Sequence, residues 1–138
     1  MPVGDRWDEV RAFALSLPNA AEDFPWGEAV VKVEKRDADP PPWRRHLVHG
    51  PMFVWLGRRD ADDPAVCVRL ERSYDVAVAV AGAERTTISG LGQWGWLTVR
   101  LARAPSVSVV CDWVDESYRR VAPKKLVAEL DRRPAPSL

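Results

Sequence analysis

The sequence predicts an α+β domain built on an antiparallel sheet, with helices at both ends of the chain. Three observations carry that expectation. An amphipathic helical stripe opens the chain, β-rich runs recur through its middle, and a second helical pattern closes it. Runs of strands bracketed by helices, rather than a strict alternation of the two, favour antiparallel pairing. A length of 138 residues suits one domain with one core, and the 46% hydrophobic and 29% charged content is ordinary for a globular protein. The whole of 1–138 is therefore expected to form one unit, with a core over about 5–131.

Trp7, Val10, Ala14 and Leu17 recur at spacings of three and four, predicting a helix over 6–17 with Asp5 as its N-cap and Pro18-Asn19 as its stop. Phe24-Pro25-Trp26-Gly27 reads as a turn into a strand at 29–34. The Pro40-Pro41-Pro42 run marks an exposed loop over 37–45. A strand follows over 46–57, interrupted at Gly50-Pro51, and a charged turn at 58–63 joins it to a strand over 65–70 as a hairpin.

Residues 72–82 alternate valine with alanine, so periodicity alone does not choose between helix and strand. Thr86-Thr87-Ile88 suggests a short strand, the glycines at 90, 92 and 95 a tight connection, and Trp96–Leu101 a clear strand. Pro105-Ser106 opens a helix whose inner face carries Val107, Val110, Cys111, Val114 and Val121. Pro123 is placed as the first residue of a last helix ending near Asp131, beyond which a proline-containing tail at 132–138 frays.

Cys67 and Cys111 sit in apolar surroundings and read as buried free thiols. No apolar run approaches the roughly 20 residues of a membrane-spanning helix, and the first residues lack the pattern of a signal peptide. The expectation is a cytoplasmic monomer with no membrane association. Lysine plus arginine and aspartate plus glutamate both number 20, so net charge alone does not point to nucleic acid. The charge is segregated, however: residues 1–31 carry a net −4, while 32–59 and 119–138 each carry +4.

Leu15-Ser16-Leu17-Pro18, with Glu22 and Pro25-Trp26-Gly27, resembles the opening of the MmcQ/YjbR family. Val31-Lys32-Val33 and Met52-Phe53-Val54-Trp55-Leu56 are similar to that family's next two strands. Gly90-Leu91-Gly92, Gly95-Trp96-Leu97-Thr98-Val99 and Asp115-Glu116-Ser117-Tyr118 resemble its C-terminal half. The resemblance spans about residues 10–130 and rests on the order and spacing of these stretches. It implies a CyaY-like fold, with an antiparallel sheet and the N- and C-terminal helices packed on one face. It also implies a helix over 72–81 and the family's "double wing" DNA-binding description. The Pro- and Arg-rich segment from Lys35 to Arg45 departs from the family's tight turn.

No catalytic constellation is visible. The only histidines, His46 and His49, fall on opposite faces if they lie on a strand and have no further ligand at a matching offset. The glycines at 90–95 precede a strand rather than a helix, unlike a phosphate loop. The acids Asp5, Asp8, Glu9, Glu22 and Asp23 occupy the region where the iron-binding frataxins of the CyaY-like fold carry an acidic ridge, but dipole complementarity and solvation explain them. The expectation is thus a non-enzymatic, cofactor-free domain that binds DNA. Phosphate contacts are assigned to Lys32, Arg44, Arg45, Arg58, Arg59, Lys124 and Lys125. The alternative is a protein- or small-ligand-binding module that uses Trp26, Trp43 and Trp94 as an exposed aromatic surface, with Trp7, Trp55, Trp96 and Trp113 in the core.

Overall fold

The computed structural model of the chain describes residues 2–35, 41–44, 47–88 and 91–134. Among these it has four helices and a six-stranded antiparallel sheet, the α+β architecture that the sequence predicts. In chain order the elements are α1 (Val3–Leu15), β1 (Ala20–Asp23), β2 (Ala29–Val33), β3 (Met52–Gly57), β4 (Ala65–Arg69), α2 (Tyr74–Ala81), β5 (Glu84–Arg85), β6 (Trp96–Arg100), α3 (Val107–Val121) and α4 (Lys124–Arg132). Short 3₁₀ turns lie at Pro42–Arg44, Gly92–Trp94 and Leu101–Arg103. The strands are ordered β1-β2-β3-β4-β6-β5. No helix among the described residues is long and apolar enough to cross a membrane.

All four helices share one core on one face of the sheet. Strand alternation turns Val31, Val33, Val54, Leu56, Val66, Val68, Leu97 and Val99 to that side. Trp7, Val10 and Ala14 of α1 meet them there, with Ala77 and Ala81 of α2, Val110, Trp113, Val114 and Tyr118 of α3, and Leu126 of α4. The alternating valines of α2 resolve as a helix in which the alanines face the core at a spacing of four. Val76, Val78 and Val80 are exposed, and Gly82, in the left-handed region at φ 60°, ends the helix.

Several boundaries differ from the sequence expectation, each for a local reason. α1 begins at Val3, so Pro2 takes the N-cap position and Asp5 lies within the first turn, where it still complements the helix dipole. β1 was not anticipated, because Ala20-Ala21-Glu22-Asp23 has no β-branched residue. Pairing with β2, from Ala20↔Val33 to Asp23↔Val30, and a two-pronged Arg11–Glu22 ion pair at 2.7 and 2.8 Å hold it in place.

β3 starts at Met52 rather than 46. The segment before it still runs along β2, through Val33 N–H to Pro51 O and Lys35 N–H to His49 O. There Gly50 (φ 147°) passes so close to the Val33 carbonyl that no Cβ fits. The expected strand at 86–88 is displaced to Glu84–Arg85, because the Thr86 hydroxyl accepts the Ile88 N–H and bends the chain. Pro123 occupies the N-cap position of α4, one residue earlier than expected, without a side-chain cap. Ser106 caps α3 by accepting the Val109 N–H at 3.2 Å.

β3 and β4 pair at Val54↔Val68 and Trp55↔Cys67. The register places Phe53 opposite Arg69 at the next rung. There a side chain from α3 enters the ladder. The Arg69 N–H donates to Ser117 Oγ at 2.9 Å, and the Ser117 hydroxyl donates to the Phe53 carbonyl at 2.5 Å. Ser117 is fully buried, so water does not replace it. Ser117→Ala leaves a buried N–H and a buried C=O without partners and is expected to cost about 2–4 kcal/mol. The check is a lower urea midpoint at unchanged slope.

Candidate functional site

The strand directions define two ends of the sheet. At one, the tip end, lie the β1–β2 turn at 24–28, the β3–β4 hairpin tip at 58–64 and the start of α1. At the other, the loop end, lie the described parts of the connection between β2 and β3, residues 34–35, 41–44 and 47–51. The Gly92–Trp94 turn joins the loop end, because Gly95 O accepts the Leu70 N–H at the end of β4. The C-terminus of α3 and the start of α4 lie there too, since Tyr118 Oη donates to Pro18 O at 2.7 Å just ahead of β1.

The seven basic residues expected to contact phosphate divide between these ends and the sheet. Lys32 is removed from the set. Its ammonium donates to Asp23 Oδ2 at 2.9 Å and to Val48 O at 3.1 Å, and its side chain is only 12% exposed. It fixes the 34–51 connection to the sheet instead. Burial pushes the Asp23 carboxyl up, but the Lys32 ammonium and the N–H groups of Phe24 and Val48 outweigh burial and hold it below its ordinary value.

At the tip end, Arg59 makes a two-pronged pair with Asp8 of α1 at 2.8 and 3.0 Å, with Asp5 at 3.8 Å. That contact holds Asp8 below the usual carboxylate value. Arg58 pairs with Asp60 at 3.4 Å. Asp62 is exposed on the same tip, and Asp63 there pairs with Arg100 at 3.1 Å, so the arginines of this end each meet an acid. Arg45, with His46, lies outside the described residues, and Arg44 closes the Pro42–Arg44 turn at the loop end.

Lys124 and Lys125 are exposed in the first turn of α4, which has no acidic residue and no side-chain cap. Two cations therefore stand at the positive end of a helix dipole, beside backbone N–H groups that the helix leaves open. Both lysines belong to the loop end.

The tryptophans also divide. Trp43 and Trp94, 72% and 59% exposed, are at the loop end, whereas Trp26, 67% exposed, is in the tip-end turn. Trp7 and Trp113 are in the helix-side core as expected, whereas Trp96 is buried but lies outside it, on the opposite face from Leu97 and Val99. Trp55 is not in the helix-side core. It is half-buried on the opposite, helix-free face, stacked on Trp26 at 5.2 Å and donating its indole N–H to Glu28 at 2.8 Å. The alternation is legible in the sequence: if Val54 and Leu56 face the core, Trp55 faces away.

The remaining polar groups are largely occupied by structure. Glu116 accepts the N–H groups of Glu71 and Ser73 and the Ser73 hydroxyl, closing the turn before α2. An open groove of about 850 Å³ between that turn and α3 is lined by both signs of charge, among them the Arg120–Glu71 pair at 3.3 Å. Burial pushes up both thiols, Cys111 to about 11, so neither has the lowered pKa of a nucleophile. No group of three or more histidine, cysteine or acidic side chains converges among the described residues. The acids near α1 pair with arginine or lysine instead: Asp8 with Arg59, Glu22 with Arg11 and Asp23 with Lys32.

No protein-family model and no curated protein matches the chain. Among solved structures, the fold is shared with protein DR2400 of Deinococcus radiodurans, a DUF419 domain. The TM-score is 0.64 at 19% identity, covering 90% of this chain and 86% of that one.

The lowered pKa of Asp23 has a consequence for stability. Its contribution is complete above the unfolded carboxyl value of about 4 and is lost as pH falls through the lower folded value. Asp23→Asn is therefore expected to destabilise the domain at pH 7, with the gap to the parent chain closing in strong acid. Urea midpoints across pH 2–7 (roughly the range over which carboxylates titrate) check the sign.

Proposed function

We propose that this chain is a non-catalytic member of the MmcQ/YjbR proteins that binds nucleic acid through the loop end of its sheet. The family reading rests on the ordered stretches in the sequence together with the shared α+β fold. The nucleic-acid reading rests chiefly on one observation, the placement of Lys124 and Lys125 in the uncapped first turn of α4.

Cations in that position oppose the helix dipole and weaken the helix by about 0.3–1 kcal/mol each. An anion bound there reverses the penalty, because it meets open N–H groups, the dipole and two ammonium groups together. A phosphate backbone supplies such an anion repeatedly. Trp43 and Trp94, exposed at the same end, offer faces on which unpaired bases can stack. The arrangement favours backbone contact and stacking over readout of base edges. A net charge of zero is compatible with this reading, since the compensated tip end carries much of the acid and the loop end faces the ligand.

The proposal is tested with a short fluorescent duplex and the matching single strand, titrated over about 50–200 mM salt, a range in which several phosphate contacts produce a steep loss of affinity. The Lys124→Glu, Lys125→Glu double variant should bind both more weakly and flatten the salt slope by about two. The same variant should unfold at a higher urea concentration, because acids suit that turn. Absence of binding at low salt, or an unchanged slope in the variant, would overturn the assignment.

A further inference from the structure

The helix-free face of the sheet carries a site of different chemistry. The register aligns Asp23, Val30, Trp55, Cys67, Thr98 and Glu84 in one row across all six strands. Over the middle of that row lies a cavity of about 280 Å³, floored by Trp55, Cys67 and Thr98 and bounded by Glu28, Arg58 and Ile88. Val30 and Cys67 are buried on this face without belonging to the helix-side core.

The pocket is lined by one carboxylate, Glu28, and one guanidinium, Arg58. Arg58, its only lining cation, pairs with Asp60. Glu28 has no ion-pair partner among the described residues. One of its oxygens accepts the Trp55 indole N–H, which leaves the second oxygen free. Its negative charge also reaches the Cys67 thiol at the floor, where it adds to burial in raising the thiol's pKa. An unpaired carboxylate beside an indole, itself backed by a second indole at 5.2 Å, combines ionic attraction with cation–π attraction. The thiol is held by weak contacts to the Thr98 and Thr86 hydroxyls at 3.4 and 3.8 Å, which leaves a neutral, polarisable floor.

We infer that this cavity binds a small alkylammonium ion, with Glu28 as the counter-charge and Trp55 as the aromatic wall. The site is independent of the proposed nucleic-acid surface, with which it shares no residue. The Glu28 carboxylate beside the Trp55 indole favours a cation there over an anion. A neutral ligand of the same shape would leave the carboxylate desolvated without a partner.

The probe is choline, compared with its uncharged isostere 3,3-dimethylbutan-1-ol, each titrated into ¹⁵N-labelled protein while the tryptophan indole signals are followed. Choline should shift the Trp55 and Trp26 signals saturably and leave those of Trp43 and Trp94 in place. The isostere should bind at least about tenfold more weakly, a difference of about 1.4 kcal/mol. Glu28→Gln retains an acceptor for the indole N–H, so the fold persists, and it should weaken choline by a similar factor. The inference is overturned if choline leaves Trp55 unmoved at millimolar concentration, if the isostere binds as well, or if Glu28→Gln binds choline unchanged.

Discussion

The sheet is locked to the helices by one buried hydroxyl. Ser117 stands where β3 and β4 would otherwise exchange a ladder hydrogen bond, satisfying the Arg69 N–H and the Phe53 carbonyl at once. A serine in mid-helix is ordinarily neutral or unfavourable. Here it fixes the rotation of α3 about its axis, and its neighbours act from that setting. Glu116 closes the turn before α2, Tyr118 reaches the Pro18 carbonyl beyond α1, and Asp115 holds Arg119 at 2.6 Å. Burial pushes the Tyr118 hydroxyl up to about 12, so it remains a neutral donor throughout the physiological range. The Asp115–Tyr118 run that resembles the family pattern is therefore a structural device. It accounts for the fold and leaves function to be found elsewhere.

Charge placement provides the second constraint. The tip end balances its arginines against the acids of α1 and of the hairpin itself, and such exposed pairs contribute little to stability. The loop end is different. Lys32 is drawn into the sheet by Asp23, and Lys124 and Lys125 stand on a helix start that does not favour them. This local departure from good helix design is what motivates the proposed anion contact at the start of α4.

Much of the architecture was legible in the sequence, because burial leaves clear periodic signals. The stripe of α1, the β-branched runs of β2, β3 and β4, and the Ser106 cap of α3 all follow from side-chain chemistry. β1 was not legible, since its residues have low strand propensity and are held by pairing and by Arg11. The site was legible only in part. Exposure of Trp26, Trp43 and Trp94 follows from their place in turns, but blocks of positive charge in sequence do not reveal which cations meet acids in space. Lys32 and Asp23 are nine residues apart in the chain and adjacent only through the β1–β2 register. The Glu28–Trp55 pair likewise exists only once β2 and β3 are aligned.

On the proposed reading, nucleic acid meets the loop end and not the hairpin tip. The most direct measurement is a titration of a short oligonucleotide into ¹⁵N-labelled protein at low salt, read at every backbone amide and indole N–H. The account predicts that shifts concentrate at Lys124–Val127 and at the indoles of Trp43 and Trp94, while Arg58, Arg59 and the buried Trp7 indole stay still. Shifts centred on residues 57–64, with α4 unmoved, would contradict it.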